Sequence, residues 1–250
     1  MNASSIRSPA EAELRRDLAA AYRLTALYGW DDLVATHISV RLPPEEAFLI
    51  NPFGMLFEEI RPADLVKVDM EGKVLEPTPW SVNLAGFVIH SAIHAARHDV
   101  VCAMHLHTPD GIAVSALKEG LLPLSQTALL LAGEIAYHEF EGIALRLDER
   151  ERLVADLGDK NVLVLRNHGT LTLGATIADA FTTMYFLESA CRIQVRALAM
   201  DRPLNPIGPE AVERMTQLQM SRNSSISRDL AWPALLRRLD RIDPGWSGEG

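Results

Sequence analysis

Apolar positions in the first third of the chain recur at helical spacing and then in short alternating runs. Leu14, Leu18 and Tyr22 share one helical face, which predicts an opening helix that stops near Gly29. Three short runs with strand character follow, each bounded by turn residues: 37–42, 47–51 and 65–69. This part of the chain is therefore predicted to form one helix and a meander of strands.

In the rest of the chain, single helices alternate with single strands. An apolar stripe predicts a helix over 82–97, and a long helix is predicted over 177–200. The predicted elements between them are strands at 100–107, 135–140 and 161–166, a helix that begins at 108–110 and a helix at 148–157. The pattern predicts one α/β domain over 1–204 and a tail over 205–250 that is partly helical and frayed at 244–250.

Composition and charge exclude several classes of function. The 250 residues are 48% hydrophobic and 23% charged, as in an ordinary globular protein. The net charge is −9 and no Lys/Arg-rich run occurs, so neither a nucleic acid nor an anionic membrane is an expected partner. No apolar stretch reaches the roughly 18 residues of a membrane span. Glycine-rich phosphate loops are also absent, which argues against ATP and dinucleotides.

The cysteines and the first residues bear on the cellular compartment. Cys102 and Cys191 lie in apolar segments and are predicted to be buried thiols rather than a disulfide. The first residues show no apolar segment of signal-peptide type. Together these features predict a cytoplasmic protein.

Three of the eight histidines lie at the ends of apolar strands. His105 and His107 are two residues apart, so both imidazoles lie on the same side of a strand. His168 follows the apolar run 162–165. If the two strands are close together, three imidazoles and water form an open site typical of zinc, with manganese or iron(II) as alternatives. The alternative reading is that these histidines are only polar groups that end a strand.

Three further histidines are candidates for a site. His90 and His94 are four residues apart on the predicted helix 82–97, and therefore on one face. A zinc protease would require His-Glu-x-x-His, whereas the sequence is His-Ser-Ala-Ile-His, so a packing or substrate-facing role is favoured. His37 begins a predicted strand, where it could contact a substrate or be a polar strand-edge residue.

The order of these segments resembles that of the class II aldolase/adducin family from about Glu11 to Met200. The segments that carry the resemblance are THISVR at 36–41, INPFGMLFEEI at 50–60, GFVIHSAIHAAR at 86–97, MHLHTPDGIAVSALKEGLLPLS at 104–125, AYHEFEGIAL at 136–145 and VLRNHGTLTLG at 164–174. Such a collinear series is more specific than any single motif.

The resemblance implies a fold, an assembly and a ligand set. The fold would be α/β, with three α/β/α layers and a mostly antiparallel central sheet. The assembly would be a homotetramer with sites at subunit interfaces. His105, His107 and His168 would bind a divalent metal, Zn²⁺ in the sugar-phosphate aldolases of the family. Tyr137 matches a tyrosine that donates a proton in a neighbouring subunit's site.

Other candidate residues have less specific support. His37 is the second catalytic candidate, and Glu139 and Asp110 are further acid–base candidates. The candidates for binding a small-molecule substrate are Asn51, Gly54, His90 and Arg166. Arg166 would steer an anionic substrate or, as the alternative, pair with a carboxylate as a structural residue.

The sequence departs from the aldolases at two places. They carry Ser-Ser-Glu at the start of the helix before the His-x-His strand, and that Glu is their general base. Here the corresponding residues are Leu84-Ala85-Gly86, so the Glu is missing. The aldolase Gly-Asn phosphate-binding pair is replaced by Thr36-His37. In these features the chain looks closer to the adducin head domain and its bacterial relatives.

The expected function is a divalent-metal-dependent lyase acting on a small oxygenated carboxylate or carbonyl compound. The metal would act as a Lewis acid for C–C cleavage by a retro-aldol reaction or a decarboxylation. Decarboxylation suffers less from the missing Glu, since it needs an electron sink and a later proton donor. Two alternatives stay open: a non-catalytic adducin-like assembly module, and an iron(II)-dependent oxygenase on the same scaffold.

Overall fold

The computed structural model describes residues 9–142, 147–218 and 225–248. The helices of these residues are α1 Pro9–Leu27, α2 Leu84–Ala96, α3 Pro109–Ser115, α4 Gln126–Leu129, α5 Glu149–Leu157, α6 Ile177–Ala199, α7 Pro209–Leu218 and α8 Trp232–Ile242. The strands are β1 His37–Arg41, β2 Ala47–Ile50, β3 Val66–Asp69, β4 Cys102–Leu106, β5 Ile135–His138, β6 Val162–Leu165 and β7 Gly169–Gly174. A short 3₁₀-helix at Phe57–Glu59 and a π-helical segment at Ile226–Ala231 complete the described elements.

All seven strands form one sheet in the order β3-β2-β1-β4-β7-β6-β5. Five of the six strand pairs are antiparallel, and β5 with β6 is parallel, so the sheet is mixed. The parallel pair departs from the antiparallel pattern that the resemblance implied. It arises because α5 lies between β5 and β6 in the chain, and a crossover helix returns the second strand in the direction of the first.

Helices cover both faces of the sheet. On one face, α1 and α6 pack on a core that includes Leu18, Ile38 and Phe181. On the other face, α2 and α5 pack on a second core that includes Ile89 and Leu153. The predicted α/β class and three-layer arrangement are confirmed.

The alternation of β1 places its polar residues on one side. Ile38 and Val40 lie in the core beneath α1 and α6. His37 and Ser39 extend to the opposite face, where they contact histidines of α2. In β4, Met104 likewise packs beneath α1 and α6, so His105 lies on the α2 side with His37. The period of two along these strands therefore decides which histidines share a face.

The C-terminal segment packs against the domain. Helix α8 contacts α1, and Trp232, Leu239 and Trp246 belong to the larger core. Trp246 is 2% exposed, and its indole Nε1 donates to Asp240 Oδ1 at 2.8 Å. Burial of this large aromatic side chain places this part of the tail against the domain, and the predicted fraying of the end stays a prediction. None of the described helices is long and apolar enough to cross a membrane.

Candidate metal centre

Strand β4 and the turn between β6 and β7 bring three histidines together. His105 lies within β4, His107 follows it, and His168 lies in the turn before β7. Strands β4 and β7 are paired, with Leu106 opposite Thr170. A Cβ at Gly169 would collide with the carbonyl oxygen of Leu106, so glycine is needed for the turn to lie against β4. We call His105, His107 and His168 the trio.

The ring nitrogens of the trio converge. One candidate ligand atom from each histidine lies within 4.8 Å of the others. Nε2 of His105 and Nε2 of His107 are 2.9 Å apart. The three ring centroids are 4.8–4.9 Å from one another. His105 is buried and the other two are half-buried, so the group is open on one side.

The outer nitrogens show which ring atoms are free to bind a cation. Nδ1 of His105 lies 3.0 Å from the carbonyl oxygen of Thr170, and Nδ1 of His107 lies 3.0 Å from Asp32 Oδ2. Both partners can only accept, so each Nδ1 carries the proton in the neutral ring and each Nε2 has a lone pair. Two bare nitrogens facing each other at 2.9 Å repel unless a cation lies between them. The donor set therefore fits a divalent metal.

Burial keeps His105 and His168 neutral. It lowers the pKa of His105 well below 6.5, with smaller contributions from the neighbouring histidines. It also lowers the pKa of His168 to about 4, with His107 contributing less. Neutral imidazole is the form that coordinates a metal, so these two ligands need no deprotonation at neutral pH.

A second group of polar side chains lies deeper, between β1 and α2. Nδ1 of His37 is 2.7 Å from Nε2 of His90. Nδ1 of His90 contacts Oγ of Ser39, and the same Oγ is 2.7 Å from Nε2 of His94. All four side chains are buried, at 0–2% exposure. We call His37, His90, Ser39 and His94 the relay.

The relay meets the trio at His37, beside Gly86. The ring centroids of His37 and His105 are 5.0 Å apart. A Cβ built on Gly86 would lie 2.7 Å from Cδ2 of His37, closer than real Cβ atoms approach another heavy atom. The ring of His37 therefore occupies the space into which a longer side chain at position 86 would extend.

The comparison with known families identifies the fold. The model of the Class II Aldolase and Adducin N-terminal domain matches residues 16–195. The chain belongs to this family. The match includes β1, α2, β4 and the turn before β7, and thus both the trio and the relay.

Three similar proteins cover most of the chain. A protein of Caulobacter vibrioides named "Putative aldolase class 2 protein" is 55% identical over 241 residues, 96% of this chain and 94% of that protein. Alpha-adducin of Rattus norvegicus is 49% identical over 193 residues, 76% of this chain but 26% of alpha-adducin. The solved structure of L-fuculose 1-phosphate aldolase from Glaciozyma antarctica PI12 is 30% identical with a TM-score of 0.81, and covers 93% of this chain and 92% of its own.

In this class II aldolase/adducin chain, Tyr137 and Arg166 contact each other, and Arg166 and His168 line one cavity. The hydroxyl of Tyr137 accepts from the backbone N–H of Leu121 at 3.0 Å. The guanidinium of Arg166 lies 4.2 Å from the centroid of the Tyr137 ring and donates to the carbonyl oxygen of Leu117 at 2.6 Å. Within one subunit, the pair holds the segment 117–121, and the predicted roles toward a substrate stay predictions.

The remaining predicted substrate-binding residues lie after β2 and in α2. Asn51 is buried, and its Oδ1 accepts from the hydroxyl of Tyr22 at 3.0 Å. Gly54 is exposed and has a φ of 103°, a left-handed turn conformation that favours glycine. His90 is fully buried and both of its ring nitrogens have partners in the relay. The predicted contacts of these three residues with a substrate stay predictions.

Three supporting residues were missed from the sequence. Asp32 orients His107 and the carbonyl of Thr170 orients His105, yet both contacts join distant segments that no local pattern indicates. Ser39 had a usable signal, because it lies two residues after His37 and therefore on the same side of β1.

Proposed function

We propose that this protein is a divalent-metal-dependent lyase that cleaves a C–C bond in a small oxygenated carboxylate or carbonyl compound. The observation that carries the proposal is the convergence of Nε2 of His105 and Nε2 of His107 at 2.9 Å, with both Nδ1 atoms engaged elsewhere. Such an arrangement is suited to a cation and is costly without one.

The trio would hold the metal, Zn²⁺ first and Mn²⁺ or Fe²⁺ as alternatives, and the half-buried side would admit the substrate. When bound, the cation supplies a Lewis acid that stabilises negative charge on a substrate oxygen. Asp32 and Thr170 hold two of the rings in place. The similarity to an L-fuculose 1-phosphate aldolase supports aldolase-type cleavage as the reaction class.

The residues around the trio favour a reaction that does not need the carboxylate base of the aldolases. Position 86 is glycine, and a buried imidazole, His37, fills the adjacent space. His37 and Tyr137 are the proposed catalytic residues, with Asn51, Gly54 and Arg166 as proposed substrate contacts. His90, predicted as a further contact, would act on the substrate through His37, because both of its ring nitrogens have partners. A retro-aldol reaction or a decarboxylation would then rely on stabilisation of a developing anion rather than on a carboxylate base.

Assembly and location are part of the proposal. We propose a homotetramer with sites at subunit interfaces, because apolar side chains lie exposed beside the site. Leu33 is 72% exposed next to Asp32, and Leu84 is 56% exposed near Gly86. Such apolar surface is typical of a contact with another chain. A cytoplasmic location is supported by the two free, buried cysteines.

Metal analysis tests the proposal directly. The purified protein should contain about one equivalent of a divalent metal per chain, and chelation should remove it and lower the thermal midpoint. Incubation with a panel of hydroxy acids, keto acids and aldols should then give C–C cleavage that needs the metal and that His105→Ala abolishes. A protein without stoichiometric metal, with stability unchanged by chelator, would show that the proposed function is wrong.

The similarity to alpha-adducin supports a second candidate, a non-catalytic assembly module. This chain covers about a quarter of alpha-adducin, so only the shared domain enters the comparison. A module of this kind would assemble identically with and without metal and would turn over no member of the panel. Turnover on the panel separates the two candidates, since a lyase would show it whatever its assembly.

A further inference from the structure

The relay is a continuous line of hydrogen bonds that ends at the trio. Each link joins two buried polar atoms: His94 Nε2 with Ser39 Oγ, Ser39 Oγ with His90 Nδ1, and His90 Nε2 with His37 Nδ1. A neutral imidazole donates once and accepts once, and a hydroxyl in such a line does the same. The line therefore has two possible directions, and the direction decides which nitrogen of His37 carries the proton.

The far end of the relay lies near a fixed positive charge. Nδ1 of His94 and Nε of Arg41 are buried and have no hydrogen-bond partner among the described residues. Burial, and then the positive charge of Arg41, lower the pKa of His94 to about 3, so this ring is neutral. A guanidinium has only N–H donors. A bare nitrogen lone pair at Nδ1 of His94 is therefore favoured beside Arg41, and an N–H there is disfavoured.

The two directions differ in what they bury. If the bonds run from His37 toward His94, the last proton sits on His94 Nδ1 as a buried, unpartnered N–H near a cation. If they run from His94 toward His37, His94 donates through Nε2, Ser39 donates to His90, and His90 donates to Nδ1 of His37. Each direction leaves one N–H without a partner, on Nδ1 of His94 or on Nε2 of His37. Only the N–H on Nδ1 of His94 would lie near the guanidinium of Arg41, so the second direction has the lower energy.

We propose that Arg41 and His94 set the direction of the relay, so that His37 carries its proton on Nε2 and presents an N–H donor to a substrate oxygen at the trio. His90, Ser39 and His94 are then positioning residues that act through His37. Nε2 of His37 has no hydrogen-bond partner in the described part of the chain, and the ring lies against His105. The donor role rests on the function proposed above, whereas the tautomer does not.

This assignment gives His37 a role opposite to that of the missing carboxylate. A glutamate accepts protons, but an Nε2–H group donates a hydrogen bond to an oxygen on which negative charge develops. The site would then hold an anion by the metal on one side and by His37 on the other. The substrate class consistent with this pair is a metal-chelating oxyanion, such as a hydroxy-carboxylate, an enolate or a hydroxamate.

Nitrogen NMR of histidine-labelled protein tests the tautomer. Two-bond ¹H–¹⁵N correlations distinguish protonated from bare ring nitrogens, and His37→Gln and His94→Gln provide the assignments. We expect protonated Nε2 and bare Nδ1 in both His37 and His94. Protonation of His37 on Nδ1 would overturn the proposal, whether or not the protein binds metal.

Matched substitutions at His90 test the positioning role. His90→Gln keeps a donor at the position of Nε2, and His90→Phe removes it. With Zn²⁺ loaded, acetohydroxamate should bind roughly ten-fold more weakly to the Phe variant, while the Gln variant stays close to wild type. The Zn²⁺ affinity of both variants should match that of wild type, which separates this effect from damage to the trio.

Ser39→Ala provides a second variant if His90→Phe does not fold. It removes one oxygen from the middle of the relay, and we expect mixed tautomers at His37 and weaker acetohydroxamate binding. Wild-type affinity for acetohydroxamate in both His90→Phe and Ser39→Ala would overturn the donor role. Failure of the wild-type protein to bind Zn²⁺ would overturn the donor role together with the proposed function, while the tautomer would still be decided by NMR.

Discussion

The trio and the relay are two clusters of histidines in one fold, and they differ in where their protons lie. In the relay, every inner nitrogen and the Ser39 hydroxyl have a hydrogen-bond partner, and only Nδ1 of His94 and Nε2 of His37, at the two ends, have none among the described residues. In the trio, His105 donates its Nδ1–H to Thr170 and His107 donates its Nδ1–H to Asp32, so the lone pairs of the two Nε2 atoms face each other. The comparison teaches that the outer partners of the rings, rather than their spacing, distinguish a metal site from a buried polar cluster.

The largest expected effect follows from removing a ligand of the trio. His107→Ala should lower Zn²⁺ affinity by at least roughly 100-fold, because two imidazoles remain where three converge. The free energy of unfolding of the metal-free protein should change little, since His107 is only half-buried. Calorimetric titration with Zn²⁺ measures the effect, and His98→Ala is the matched control at an exposed histidine outside both clusters. An unchanged Zn²⁺ affinity in His107→Ala would contradict the interpretation that the trio, unlike the relay, binds metal.

In the relay, the lowered pKa of His94 should make the free energy of unfolding depend on pH. The pKa of His94 is lowered from 6.5 to about 3 by burial and then by Arg41. The unfolded chain therefore binds a proton below pH 6.5 that the folded chain binds only near pH 3, and stability is lost as the pH falls through this window. Between about pH 7.5 and about pH 5, wild type should lose about 2 kcal/mol more than His94→Gln, which cannot titrate. Urea unfolding at both pH values measures this, and equal losses would contradict it.

The effect of Gly86→Ala on the free energy of unfolding should change sign when His37 is replaced by alanine. A Cβ at position 86 would press on the His37 ring, so Gly86→Ala should destabilise the protein by about 1–3 kcal/mol. In a His37→Ala background the space is free, and the better helix propensity of alanine should make the same substitution neutral or stabilising by up to about 1 kcal/mol. Urea unfolding of the four proteins completes this cycle. Additive effects would mean that the two side chains do not share one space.

The smallest expected effect concerns the outer partner of His107. Asp32→Ala removes the acceptor of the Nδ1 proton and should weaken Zn²⁺ binding about ten-fold. Asp32→Asn keeps an oxygen acceptor and should lose less. The same calorimetric titration orders the three proteins, and an Asn variant weaker than the Ala variant would refute the orienting role of this residue.

Much of the fold could be predicted because most elements carry a clear period. Every helix and strand predicted between residues 9 and 200 occurs within two residues of its predicted bounds. Strand β7, Gly169–Gly174, was missed. Its register with β4 is what places His168 beside His105, so the trio followed from strand ends and family resemblance rather than from a derived pairing.

The relay was only half visible in the sequence. The spacing of His90 and His94 predicted that they share one face of α2, and the structure confirms this through their common contact with Ser39. Their contact with β1 depends on the packing of α2 against a distant strand, which no local pattern encodes. The burial of Trp246 was not foreseen for a similar reason, because it depends on a core to which residues distant in the sequence, such as Leu18 and Leu239, also belong.

The shared space of Gly86 and His37 also constrains how such a chain can change over generations. A lineage that acquired a carboxylate at position 86 would have to give up the ring at position 37, and with it the end of the relay. Substitution of either position alone leaves a collision or an empty space, so the two residues are expected to change as a pair. Among relatives, the identity of residue 37 should therefore report which residue stands at position 86.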